Sequence, residues 1–205
     1  MLMGRLVDYL RLLNRDPFVK NKKIKQEIID VVSSKPHYER SDSPFEKWTS
    51  TLNKATVDFT YVPYVPKNIS RTRLFDDNDL LSTEFSGCYM ARYDYKGYRY
   101  GCHIATSTTK GCDRKDEWKS FIALNHFDKG IIFQPYVPTI IHNKSEKKLY
   151  CIGYPLKYGE YVKIWGIISN TNICYTAVIQ FEKNDFFLLD IFETPSPDYR
   201  NPFFP

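Results

Sequence analysis

No run of about 18 apolar residues occurs anywhere in the chain, which excludes a helix built to cross a bilayer. The apolar N-terminus is broken by Arg5, Asp8 and Arg11 and fails as a secretory signal, although this does not exclude export by a machine that reads other signals. Cysteines are few and odd in number: Cys88, Cys102, Cys112, Cys151 and Cys174 are widely spaced, which argues against a disulfide framework and suits a reducing compartment at the site of action. The set Cys88, Cys102, His103 and Cys112 matches no compact zinc spacing, so no metal is expected. Of the four histidines, His37, His126 and His142 have no partner that can be inferred and read as surface or packing residues. No segment is of low complexity, and Tyr61-Val62-Pro63-Tyr64-Val65-Pro66 holds only two copies of its triplet, too few for a repeat architecture. The net charge of +5 suits an acidic partner, but the lysines are scattered and no RNA-binding signature is present. The densest basic stretch, Asn21-Lys22-Lys23-Ile24-Lys25, reads as a solvated helix face.

What is present is 205 residues, enough for one domain with a core that needs no staples. Aromatic residues reach 16%, with 16 Tyr and 14 Phe, and these favour strands. Leu6, Leu10 and Leu13 recur at helical spacing and predict a helix over residues 4–14. Asp16-Pro17 then fits the start of a second helix running to Val32, with Ile24, Ile28 and Val31 on one face. Residues 33–47 are polar, carry Pro36 and Pro44, and read as a loop or linker, and residues 76–79 read as an acidic turn. Strands are expected at 57–62, 85–93, 98–106, 131–136, 149–153, 161–168, 173–181 and 185–192, with Glu182-Lys183-Asn184 turning the last pair. A further helix has Asp113 as its N-cap and Trp118, Phe121 and Ile122 on its apolar face. The tail from Thr194 to Pro205 holds four prolines and is expected to lie extended. Helices and seven or more strands without βαβ alternation give an α+β protein with a mixed or antiparallel β-sandwich flanked by helices. Residues 1–48 are expected to be a helical segment packed on the core, and residues 49–205 the α+β domain that carries the chemistry.

The chemistry centres on Phe85-Ser86-Gly87-Cys88 and Gly101-Cys102-His103. With a loop at 94–97, positions summing to 191 face each other, and Cys88 lies directly opposite His103. Facing residues have Cβ atoms about 4.5–5.5 Å apart, within reach of a sulfur–imidazole contact. A slip of one residue instead brings Cys102 opposite Cys88, so the pairing depends on register. A thiol is only a few per cent thiolate at neutral pH; a neighbouring imidazolium lowers its pKa and can later protonate a leaving amine. Gly87 allows an unusual backbone and close approach of a substrate, and N–H groups around Cys88 can form an oxyanion hole. The same residues also fit a packed core, since free cysteine is among the most buried residue types.

The run Phe85-Ser86-Gly87-Cys88 resembles the Leu-Ser-Gly-Cys motif of the cytotoxic necrotizing factors, the dermonecrotic toxins and the Burkholderia lethal factor. In the necrotizing factors a strand, turn and strand then lead to a His in a Val-His-Thr-Gly-Thr-Thr-Lys context. Cys102-His103-Ile104-Ala105-Thr106-Ser107-Thr108-Thr109-Lys110 is similar, with two additional residues before Thr-Thr-Lys and the same Cys-to-His interval. The helix with Asp116-Glu117-Trp118 is similar to one in the lethal factor, and the strand pair within 170–192 resembles the last hairpin of the necrotizing-factor catalytic domain; residues 1–50 show no likeness. The resemblance implies the α+β sandwich of these deamidases and a toxin or virulence effector that hydrolyses a host-protein glutamine to glutamate. Cys88 would be the nucleophile and His103 its acid–base partner, with no cofactor or metal. The necrotizing factors act on Rho-family GTPases and the lethal factor on a translation initiation helicase, so a host protein is the implied partner, met in the host cytosol by a secreted or delivered monomer. The lethal factor has a Thr six residues before its Cys; here Ser82 holds that position, with Thr83 beside it as the alternative. The necrotizing factors use a backbone carbonyl from an upstream strand for that role, and the 57–62 strand is the one placed to supply it. Two other readings are a different Cys–His enzyme, a transglutaminase or cysteine protease, and a non-enzymatic binding module that stacks single-stranded nucleic acid on its tyrosines.

Overall fold

The computed structural model describes residues 4–15, 22–34, 38–39, 45–48, 57–74, 77–106, 114–125, 127, 129–135, 161–182 and 184–196. In chain order these form β1 (Gly4–Arg5), α1 (Leu6–Arg15), α2 (Gln26–Ser33), β2 (Tyr38–Glu39), β3 (Phe45–Trp48), β4 (Val57–Val62), β5 (Ile69–Leu74) and β6 (Asp79–Ser82). Then follow β7 (Tyr89–Tyr95), β8 (Tyr98–Ile104), α3 (Lys115–Leu124), β9 (Gly130–Phe133), β10 (Tyr161–Ile168), β11 (Cys174–Glu182) and β12 (Asp185–Glu193). One six-stranded sheet has the order β1-β4-β6-β10-β11-β12, the other β2-β3-β5-β8-β7-β9. Both are mixed: β1–β4, β4–β6 and β3–β5 run parallel and the other pairs antiparallel.

Three buried clusters explain the layering. Leu6, Val7, Leu10, Ile28 and Ile29 of α1 and α2 pack on Leu81, Trp165, Ala177 and Ile179, covering the outer face of the first sheet. Leu80, Ile164, Ile168 and Val178 of the first sheet meet Leu74, Met90 and Phe133 of the second, filling the space between them. Trp118, Phe121 and Ile122 of α3 cover Tyr89, Ala91, Tyr93 and Ile104 on the outer face of the second sheet. The molecule is therefore an α+β sandwich flanked by helices. Alternate residues of each inner strand face opposite layers, so nearly every position is buried, as the unbroken burial of β6 shows.

Several local expectations are corrected. Residues 22–25 do not continue a helix: Lys23 bridges Phe187, Ile24 N–H donates to the Phe186 carbonyl (2.8 Å) and Leu188 N–H to that of Lys22 (2.8 Å). The free edge of β12 and a pocket that takes Ile24 to 1% exposure outweigh local helix propensity there. The 33–47 segment holds β2 and β3, where backbone pairing to β5 gives order that its polar composition conceals. Asp79 does not lie in a solvated turn but opens β6, fully buried, accepting N–H bonds from Val7 (2.9 Å) and Asn170 (3.0 Å). The strand expected at 149–153, the cap Asp113, the Asp16-Pro17 helix start, His37, His126, His142, Cys112 and Cys151 lie outside the described residues.

Candidate active site

The β7–β8 hairpin sets the position of His103. Its turn is only Lys96-Gly97, with φ of 51° and 77°, the two left-handed residues that a tight two-residue hairpin requires. Tyr95 pairs with Tyr98, and facing positions sum to 193 rather than 191. Met90, not Cys88, is therefore the residue directly opposite His103. A shift of two keeps side-chain parity, so the inward face is unchanged. One ladder row across the second sheet reads Ser70, His103, Met90, Phe133. Cys88 lies one residue before β7, in the crossing segment 83–88 that carries the chain from one sheet to the other.

His103 is fully buried between the layers. Its Nδ1 lies 2.8 Å from Ser82 Oγ, at the end of β6 in the opposite sheet. Ser82 Oγ donates its one proton to the Val62 carbonyl at 2.5 Å. The hydroxyl can then only accept from the imidazole, so Nδ1 carries the ring proton and Nε2 holds a free lone pair. Nε2 is buried and has no hydrogen-bond partner. Burial drives the His103 pKa down to about 3, so the ring rests neutral. It is thus a neutral imidazole with a buried, unbonded lone pair, and not the imidazolium expected from the sequence.

Two rings hold the imidazole. Phe85 stacks on it at 4.2 Å between centroids and 10° between planes, and Tyr64 leans on it at 5.0 Å and 48°. Phe85 has room because residue 166 on β10 is glycine: a Cβ there would lie 2.9 Å from Phe85 Cε2, 3.1 Å from Met90 Sδ and 2.5 Å from Pro135 Cγ. Cys88 is 2% exposed and belongs to the same apolar cluster as Phe85 and Met90, against which Tyr64 packs. Its Sγ accepts the Thr106 N–H at 3.5 Å, which turns the positive end of that N–H dipole toward the sulfur. Gly87 has φ of 126°, a conformation L side chains rarely adopt, and its carbonyl accepts the Gln134 side-chain amide at 2.8 Å. Burial first, then Cys88 and Glu84, raise the Tyr64 phenol above its ordinary pKa.

Among solved structures, the chain is similar to the C-terminal domain of CNFy from Yersinia pseudotuberculosis, with 8% sequence identity and a TM-score of 0.30. The match covers 74% of this chain and 62% of that one, so the chain spans less than two thirds of that domain's length. No protein-family model and no curated protein matches the chain.

The structure brings Ser82 to His103, and turns Thr83 away, its Oγ1 lying 2.9 Å from Tyr61 Oη. Val62, Tyr64 and Gly166 are given no place in the site by the sequence, and Phe85 enters there only as the first residue of the motif. Val62 acts through its carbonyl, a group every residue owns, so only the expectation of a donor strand at 57–62 pointed near it. Among the described residues no group of three or more His, Cys, Asp or Glu could hold a metal ion, and no helix is long and apolar enough to cross a membrane.

Proposed function

We propose that the chain is a toxin-type protein–glutamine deamidase that converts a host-protein glutamine to glutamate through a thioester on Cys88. The observation that carries this reading is the chain of hydrogen bonds from the Val62 carbonyl through Ser82 to His103 Nδ1, which leaves Nε2 as a base in the layer that holds the thiol. Neutral His103 takes the thiol proton as Cys88 Sγ attacks the carboxamide carbon. The proton returns to the leaving nitrogen, ammonia departs, and water, deprotonated at Nε2, hydrolyses the thioester and restores the thiol. Ser82, oriented by the Val62 carbonyl, keeps the imidazole in one tautomer and goes on accepting the Nδ1–H hydrogen bond as the ring becomes charged, the task of the third group in such triads. Gly87, with its backbone conformation fixed by Gln134, shapes the approach to the sulfur.

The chemistry up to the thioester is shared with transglutaminases and cysteine proteases, so the product decides. Wild-type protein and Cys88→Ser are incubated with a eukaryotic lysate and glutamine-to-glutamate changes are mapped by peptide mass spectrometry. A small set of sites gaining about one dalton with wild type alone supports the deamidase. Amine adducts or cleaved chains would replace it with the other two reactions, and changes that persist with Cys88→Ser would remove Cys88 from the site.

A further inference from the structure

Cys88 and His103 are 2% and 0% exposed, and a glutamine side chain cannot reach a sulfur in that state. Of the two rings on the imidazole, Phe85 is 3% exposed and locked beneath the first sheet, whereas Tyr64 is half-buried and marks the side that faces solvent. The backbone around Tyr64 is pinned. The Pro63 carbonyl accepts Ser70 Oγ (2.6 Å), Val65 accepts Asn68 N–H (3.2 Å), Pro66 accepts Asn68 Nδ2 (3.2 Å), Lys67 accepts Arg114 Nε (2.5 Å) and Asn68 accepts Ala105 N–H (3.1 Å). The bonds from Ser70, Arg114 and Ala105 reach outside the segment and hold it in place while Asn68 closes it on itself, so the free coordinate is the rotation of the Tyr64 side chain itself.

We propose that the Tyr64 ring is the door to the Cys88–His103 pair: seated on the imidazole it closes the pair, and a substrate carboxamide enters only when the ring turns aside. This rests on the reading of Cys88 as nucleophile, but not on the reaction it performs. The aperture is the footprint of one aromatic ring, which suits an unbranched side chain presented from a protein surface and rejects bulky groups.

The test needs no substrate. Alkylation of each cysteine by iodoacetamide is followed by peptide-resolved mass spectrometry in the native protein, in Tyr64→Ala and in Tyr64→Phe. If the open state is populated at about 10% or less, removing the ring speeds Cys88 alkylation about tenfold or more. Tyr64→Phe keeps the ring and should react at the native rate. Cys102 and Cys174, buried and with thiol pKa values pushed up by burial, serve as internal controls and should stay slow in all three proteins. An unchanged Cys88 rate in Tyr64→Ala overturns the proposal, as does a rise shared by Cys102 and Cys174, which signals loosening of the fold. A positive result with no deamidated glutamine in any lysate would leave the door standing and remove the proposed reaction.

Discussion

A buried neutral histidine must be a liability in acid, and its size follows from the site. His103 is fully buried and its pKa falls from an ordinary 6.5 to about 3 in the folded protein. Below the ordinary value the unfolded chain takes up a proton on this residue that the folded chain refuses. The unfolded state then binds more protons, so stability rises with pH across the window from about 3 to 6.5 and is flat above it. Each pH unit is worth about 1.4 kcal/mol, so about 3 kcal/mol is lost between neutral pH and about pH 4.5 through this side chain alone. His103→Asn isolates the effect: it is neutral at every pH, and its amide can donate to Ser82 as Nδ1 does. Urea unfolding of both proteins at about pH 7.5 and about pH 4.5 gives the two differences. The native protein should lose about 3 kcal/mol more than the variant. Parallel losses would mean that the imidazole protonates freely in the fold, and the argument for a resting neutral base would fail.

Ser82→Ala removes both the acceptor for Nδ1–H and the donor to the Val62 carbonyl; the two buried groups left unpaired should cost about 2–6 kcal/mol in urea unfolding, and Cys88 turnover should fall with a changed pH profile that Ser82→Thr restores. Gly166→Ala drives a methyl into Phe85, Met90 and Pro135, which should cost about 1–3 kcal/mol and lower activity by moving the ring that holds His103; native stability and activity in this variant would show that the contact relaxes freely.

The sequence conveyed the elements whose signal is local. Leu6, Leu10 and Leu13 marked α1, the apolar run 161–168 became β10 with the same bounds, and Trp118, Phe121 and Ile122 marked the buried face of α3. What misled was decided by distant partners. Ile24 has helical spacing to Ile28 and Val31, yet the open edge of β12 draws it into an extended bridge. Asp79 looks like turn chemistry until Val7 and Asn170 supply the N–H groups that let a carboxylate be buried. At the candidate site, the resemblance pointed to Ser82 or Thr83 by their interval from Cys88, and it is Ser82 that meets His103; the inward face of His103 is unaffected by a register error of two. Lys96 was not read as a left-handed residue, and that is why the turn was drawn two residues too long. Gly166 carries its meaning in a missing side chain, which only the packed neighbours reveal.

The members of the proposed site come from both halves of the sandwich. Ser82 and Val62 belong to one sheet, His103 to the other, and Cys88 to the strand-to-strand crossing between them. In a chain in which either sheet has formed alone, His103 lacks Ser82 and its imidazole takes either tautomer. The Ser82–His103 contact therefore exists only where the two layers meet, and docking of the sheets is what selects the ring tautomer.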